Sequence, residues 1–158
     1  MNVLRFLTPK NTVGYVYDDC SLRQALEKME YHHHSSLPII DHAGGYVGTL
    51  TEGDLLWAVK NQLSHSNQQI LSLKDAENIP ISSVKRRWDN EPVTADTRME
   101  DLISVSLNQN FVPVIDDRGV FVGIVARRQI IRYLQELVPL RAEHENSCEF
   151  PAAGRVNV

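Results

Sequence analysis

Residues 36–59 (SLPIIDHAGGYVGTLTEGDLLWAV) and 111–134 (FVPVIDDRGVFVGIVARRQIIRYL) align without a gap at an offset of 75 positions. Pro38/Pro113, Ile40/Ile115, Asp41/Asp116, Gly44/Gly119, Val47/Val122 and Gly48/Gly123 are identical pairs. Most other pairs exchange one apolar residue for another. An internal repeat of this length constrains the fold more than any local propensity, because each copy is one structural unit seeking a partner. It predicts two similar units facing each other, with shared clefts between them.

Each unit starts before the aligned block. Leu22, Ala25, Leu26 and Met29 fall at the i, i+3, i+4, i+7 spacing of one helical face. Ser21 with Gln24 fits a capping box, in which hydroxyl and amide satisfy free backbone N–H groups. In the second unit Thr97 with Glu100, then Met99, Leu102 and Ile103, repeat the pattern at an offset of 77. Short β-like stretches, residues 13–17 and 92–94, precede these helices. Paired strands follow, at 37–40 with 46–50 and at 112–115 with 121–125. They flank turns rich in Asp and Gly, which supply local hydrogen bonds and positive φ. A second helix carries Leu55, Leu56, Val59 and Leu63, or Ile130, Ile131, Leu134 and Leu137. The expected fold is therefore α+β, two β-α-β-β-α repeats. Their expected bounds are 1–69 and 70–138, with a flexible tail at 139–158. The polar residues 64–69 are expected to close the first unit's last helix.

Bulk properties narrow the function. The 158 residues are 42% hydrophobic, enough for a real core. A net charge of −4 argues against a general nucleic-acid coat, though not against local basic sites. Cys20 and Cys148 are the only cysteines, too few for a disulfide framework, so a reducing cytoplasm is the default. No apolar run approaches membrane-spanning length, and the first residues lack a signal peptide's apolar core.

The two P-h-h-D-x-x-G-x-h-h-G strings (h apolar), each followed by an amphipathic helix, resemble a tandem pair of CBS domains, a Bateman module. Thr51-Glu52-Gly53-Asp54 adds that family's T-x-x-D signature. The resemblance covers roughly residues 5–137 and is nearest to small stand-alone bacterial proteins. It implies two repeats related by a pseudo-two-fold axis. It also implies a regulatory module that binds an adenosine nucleotide such as AMP, ADP or ATP between the repeats. Homodimerisation through helices and a regulated protein partner are expected on the same ground. The alternatives are a cyclic di-AMP receptor and a ligand-free interaction module.

Thr51 and Asp54 stand where a strand enters a helix. They read as a capping box. They read equally as a ribose grip, since a carboxylate accepts from two vicinal hydroxyls while the helix N-terminus favours phosphate. The second unit has Ala126-Arg127-Arg128-Gln129 there, losing hydroxyl and carboxylate. Arg127 and Arg128 are either a solvated helix start or a phosphate contact. Lys85-Arg86-Arg87 enters the second unit where Thr8-Pro9-Lys10 enters the first. This run is either exposed or part of a local anion site. In the family such connectors line the nucleotide cleft, which implicates Thr8 as well. Leu37, Pro38, Val112 and Pro113 are candidate walls for the base, with Val13 and Tyr15.

Other features point away from chemistry. His32, His33 and His34 are adjacent and project in different directions, so they do not converge on one metal ion. Trp57 and Trp88 read as core or dimer residues. The sequence contains no G-x-S-x-G, G-x-x-x-x-G-K-[ST] or H-E-x-x-H string. No enzyme activity, metal or resident cofactor is expected, and no direct nucleic-acid or membrane partner.

Overall fold

The structure is a computed structural model and describes residues 3–65 and 72–137. The first unit contains β1 (Thr8–Pro9), β2 (Val16–Tyr17), α1 (Leu22–His32), β3 (Ser36–Ile40), β4 (Tyr46–Thr51) and α2 (Glu52–His65). A short α3 (Leu73–Glu77) leads to β5 (Val93–Thr94), α4 (Met99–Ser106), β6 (Phe111–Ile115), β7 (Phe121–Ala126) and α5 (Arg127–Leu137). The α+β architecture and the two repeats are those the sequence predicts. Residues 66–69 and the tail 139–158 lie outside the described residues, and α2 continues through Ser64 to His65.

The repeat is reproduced down to its irregularities. In one sheet β2 runs parallel to β3, and β3 antiparallel to β4 with Leu37 opposite Leu50. In the other, β5 runs parallel to β6, and β6 antiparallel to β7 with Val112 opposite Val125. Each hairpin shifts register at the equivalent step, Ile39/Ile40 and Val114/Ile115. The identical Asp and Gly pairs build identical turns. The Asp41 carboxylate accepts from the Gly45 N–H, and the Asp116 carboxylate from the Val120 N–H, each at 2.8 Å. Gly44 and Gly119 take φ of 92° and 82°, a region costly for any residue with a Cβ.

The two turns then meet. Phe121 N–H donates to the Gly44 carbonyl at 2.9 Å, and Tyr46 N–H donates to the Gly119 carbonyl at 3.4 Å. These four positions are equivalent pairs of the repeat, so the contact is its own image under the pseudo-two-fold operation. Beneath it, Val13, Ile40 and Phe121 form a small buried cluster backed by Tyr15, Tyr46 and Ile124.

The units also exchange chain. β1 pairs with β7 of the second unit, Thr8 opposite Ile124 and Pro9 opposite Gly123. Val3 is buried in the second unit's core, with Phe6 and Leu7 against it. Conversely, Ala76, Ile81 and Val84 complete the first unit's core among Leu22, Leu37, Leu50 and Leu55. The exchange is sealed where Leu22 N–H donates to the Ile79 carbonyl and Ile81 N–H to the Cys20 carbonyl. The segment preceding each repeat thus packs on the other repeat's side of the molecule.

Local chemistry sets the helix ends. The Ser21–Gln24 capping box forms in both directions, at 2.9 and 3.2 Å. The box expected from Thr97 and Glu100 does not form. Arg98 is the N-cap, without a side-chain bond, and α4 begins at Met99. Thr97 Oγ1 instead accepts from Thr94 N–H at 3.2 Å, because the Thr94-Ala95-Asp96-Thr97 turn competes for the hydroxyl. The sequence reading gave no helix at 73–77, where a Ser72–Asp75 capping box starts α3. The leading strands are also shorter than the predicted stretches 13–17 and 92–94, two residues each.

Gly48 and Gly123, identical in the repeat, have one structural reason. A Cβ on Gly123 would lie 2.3 Å from the Thr8 carbonyl oxygen, and one on Gly48 2.3 Å from Asp89 Oδ1. Each glycine lets the other repeat's leading segment pass over the hairpin. Gly123→Ala should therefore push β1 off β7 and lower the unfolding free energy by about 1–3 kcal/mol, as overpacking does. Urea denaturation checks this; an unchanged midpoint would show that the segment yields freely.

Candidate functional site

The polar side chains gather where the units face each other. A cleft of about 340 Å³ is bounded by Ser36 and Thr49 on the first hairpin and by Thr51 at the end of β4. Trp88 and Asn90 of the connecting segment and Asn108 and Asn110 of the α4–β6 turn close it. Both units and the connector therefore contribute to one concave surface.

The connector is tied to both sides. Arg87 N–H donates to Asp54 Oδ1 at 3.1 Å, and Asp89 Oδ1 accepts from Thr49 N–H at 3.0 Å. On the other side Asn90 Nδ2 donates to the Phe111 carbonyl at 2.8 Å, and Glu91 N–H donates to Gln109 Oε1 at 2.7 Å. Tyr46 ties two of the lining residues together: its hydroxyl donates to the Asn90 carbonyl at 2.9 Å and lies 2.7 Å from Thr49 Oγ1. Burial pushes the Tyr46 phenol up to about 12, so it stays protonated and a donor at neutral pH.

Thr51 and Asp54 form the capping arrangement. Asp54 Oδ2 accepts from Thr51 N–H at 3.0 Å and from Thr51 Oγ1 at 2.7 Å. Asp54 N–H donates to Thr51 Oγ1 at 3.1 Å. With Arg87 N–H, three donors converge on a carboxylate that is 1% exposed. Asp54 therefore stands behind the cleft, holding Thr51 and the connector, while Thr51 lines it. The second unit echoes this without a charge: Gln129 Oε1 accepts from Ala126 N–H at 2.9 Å, and Gln129 Nε2 reaches Thr8 Oγ1 at 3.4 Å. Gln129 holds the leading segment as Asp54 holds the connector.

The remaining sequence candidates fall in different places. Leu37 and Val112 are sealed within the two cores, and Val13 within the cluster between the units. Pro38 and Pro113 are buried on the same strands. Arg127 Nε donates to the Gln109 carbonyl at 2.7 Å, bracing the turn that carries Asn108 and Asn110, and Arg128 is exposed. Neither arginine lines the cleft described. Arg86 pairs with Asp89 at 2.8 Å, and Lys85 and Arg87 project from the connector as exposed residues. His33 caps α1 in the left-handed region at φ 52°. A different trio, Asp18, Asp19 and His42, brings its ligand atoms within 4.8 Å. Asp19 and His42 are exposed and paired with each other at 2.8 Å, a contact that raises the His42 pKa. Burial pushes the Cys20 thiol up to about 11, leaving it protonated at neutral pH.

Sequence reasoning missed Asn90, Asn108 and Asn110. The motif Asn108-Gln109-Asn110 reads as an ordinary turn after a helix, and only the packing of one unit on the other turns its amides into a wall.

Two equivalent α+β units about a pseudo-two-fold axis, with a polar cleft between them, define a tandem-repeat module. The chain belongs to the CBS domain family, whose model matches residues 8–61 and 81–136. It is 28% identical over 127 residues to an uncharacterised 17.7 kDa protein of Acidianus ambivalens, covering 79% of this chain and 69% of that one. It is 31% identical over 114 residues to a homoserine O-acetyltransferase of Methanohalophilus mahii, of which it spans only 21%. Among solved structures it resembles the CbpB protein of Listeria monocytogenes in complex with c-di-AMP, with TM-score 0.71 and 18% identity, covering 86% of this chain and 96% of that one. It also resembles CBSX2 of Arabidopsis thaliana in complex with AMP, with TM-score 0.67 and 24% identity, covering 86% and 97%.

Asp54→Ala should leave the Thr51 and Arg87 N–H groups without an acceptor and cost about 2–3 kcal/mol of stability. Asp54→Asn, which keeps one carbonyl acceptor, should lose less. Chemical denaturation without ligand measures both, and equal stability of Asp54→Ala and the parent would remove the bracing role.

Proposed function

We propose that this chain is a regulatory sensor of an adenosine nucleotide, of the AMP, ADP or ATP type, bound in the cleft between the repeats. The observation carrying the reading is the cleft itself: concave, built by both units, and close to the lower end of volumes typical of small-ligand sites. The Trp88 ring offers a stacking surface for the base. The carboxamides of Asn90, Asn108 and Asn110 each carry donors and an acceptor, the chemistry that reads a purine edge or ribose hydroxyls. Thr51 brings its hydroxyl oxygen to the cleft at the N-terminal end of α2, where the helix's partial positive charge favours phosphate. Asp54 acts through Thr51, and a direct ribose contact requires Arg87 N–H to leave the carboxylate. The AMP complex of CBSX2 supports this reading. Cyclic di-AMP is the second reading. The c-di-AMP complex of CbpB and the basic run continuing from Trp88 through Arg87 to Lys85 favour it.

The same connector would transmit the signal. Ligand packed on Trp88 and Asn90 loads the segment that Arg87 and Asp89 tie to one unit and Asn90 and Glu91 to the other. It shifts the angle between units to the extent that one angle binds it better. We assign no catalysis and no resident cofactor to the chain, and place it in the cytoplasm. It would act as a homodimer through its helices, where Leu56 and Ile131, equivalent in the repeat, are 63% and 49% exposed. A regulated protein would read the change.

Calorimetry and thermal shift with AMP, ATP, S-adenosylmethionine and cyclic di-AMP test the reading. A ligand at 100 times its Kd should add about 2.7 kcal/mol of apparent stability. Asn108→Ala should weaken binding about tenfold through a lost hydrogen bond. No response to any of the four compounds would overturn the sensor reading in favour of an interaction module. Sedimentation should return a dimer that Leu56→Lys dissociates.

A further inference from the structure

The symmetry of the repeat is broken at one sheet edge. In the second unit β1 pairs along the outer edge of β7, and that sheet has four strands. The first unit's sheet has three, and β4 ends it. The connector passes β4 where β1 passes β7, but a side chain takes the place of the ladder. Asp89 Oδ1 accepts from Thr49 N–H at 3.0 Å, and Asn90 N–H reaches Thr49 Oγ1 at 3.4 Å. Gly48 leaves room for that carboxylate, as Gly123 does for the Thr8 carbonyl.

The stretch held this way has firm ends and a loose middle. Val84 is buried in the first unit's core, and Asn90 Nδ2 is bonded to the Phe111 carbonyl. Between them Lys85, Arg87, Trp88 and Asp89 are exposed and Arg86 is half-buried. The sequence suggested core or dimer packing for Trp57 and Trp88; the structure buries neither, leaving them 44% and 79% exposed. Besides the Asp89 bond, Arg87 N–H donates to Asp54 Oδ1 at 3.1 Å. The Arg86 guanidinium closes over Asp89, Nε at 2.8 Å and Nη2 at 3.3 Å from its two oxygens. A partly exposed ion pair of this kind adds little stability. A carboxylate lets go by turning about its own side-chain bonds, whereas β1 must break main-chain pairing to leave β7. Segments with few buried contacts and exposed hydrogen bonds are the first to open. There is also space for the movement. Trp88 borders the cleft on one side, and residues 85–88 border a depression of about 570 Å³ on the other, walled by Trp57, Asn61 and His65 of α2. The stretch is a thin partition between two hollows.

We propose that residues 85–89 form a flap over the cleft, latched by the Asp89 carboxylate on Thr49 N–H, and that release of this latch is the step that admits and frees a ligand. The flap swings as one piece between Val84 and Asn90, carrying Trp88 away from the cleft and into the depression behind it. Its counterpart β1 is paired through the main chain and stays in place, so access opens on the connector's side of the molecule alone. The latch stands on the geometry just described; what passes the flap rests on the function proposed above.

Amide hydrogen exchange, followed by NMR on the ligand-free full chain, tests the latch. The informative amide is Arg87, because its acceptor is Asp54 and a change at Asp89 does not touch that bond. Asp89→Ala should speed its exchange about tenfold or more, while the amides of β7 keep their parental rates. Asp89→Asn keeps a carbonyl acceptor for Thr49 N–H and should restore most of the protection. The proposal is overturned if Arg87 exchanges at the parental rate in Asp89→Ala. It is equally overturned if the β7 amides accelerate as much, which makes the loss global instead of local. Stopped-flow mixing with AMP tests the gate. In Asp89→Ala the association and dissociation rates should rise together, with Kd moved less than either. A faster dissociation with unchanged association would make Asp89 a support of the bound state only and overturn the gate. A parent chain that binds no AMP defeats the sensor reading of the cleft, while the exchange measurement still decides the latch.

Discussion

Two main-chain hydrogen bonds, from Phe121 to Gly44 and from Tyr46 to Gly119, join the hairpin turns of the two units tip to tip. Together with the exchanged leading segments, that contact makes this molecule more than two small domains. It needs turns of one shape on both sides, which the Asp41/Asp116 carboxylates and the positive φ of Gly44/Gly119 provide. It positions Phe121 over Ile40 and Val13 to close a cluster owned by neither unit. It also sets the spacing at which β4, the connector and the α4–β6 turn enclose a cleft. A relative rotation of the units acts on this junction, while each sheet keeps its own core.

The repeat was readable because its determinants are local. Alternating apolar residues, Asp-x-x-Gly turns and helical spacing act over a few residues, and the same residues recur in the second copy. The exchange of leading segments was not readable. Val3, Phe6 and Leu7 look like any apolar start, and no local rule says that they belong beside Val112 and Val125 rather than Leu37 and Leu50. Gly48 and Gly123 were visible as identities, but their reason, a strand or connector passing within reach of a Cβ, is a long-range fact. The Thr97 box failed for a different cause: a nearby threonine and aspartate offered its hydroxyl a competing turn.

The site was half legible. Thr51 and Asp54 stood out by type and spacing, and the structure divides their work, Thr51 facing the cleft and Asp54 bracing it from behind. Replacement of the pair by Ala126 and Gln129 preserved the backbone tie and removed the charge, so the bracing is common to both halves while the hydroxyl-lined entry belongs to one. Asn90, Asn108 and Asn110 carried no signal, since asparagine in a turn has an ordinary explanation of its own. Their meaning comes from the partner unit packed opposite.

The crossed leading segments also bear on how the chain reaches its native state. β1 finds its partner only when β7 exists, more than a hundred residues later, so Val3–Pro9 waits unpaired while the first unit emerges during synthesis. The first unit in turn lacks Ala76, Ile81 and Val84 until the connector has been made. Such non-local closure slows folding and couples the halves into one cooperative event. A cut between the repeats would give two fragments, each carrying a piece of the other's core. The pair, not the single repeat, is therefore the unit that carries complete cores.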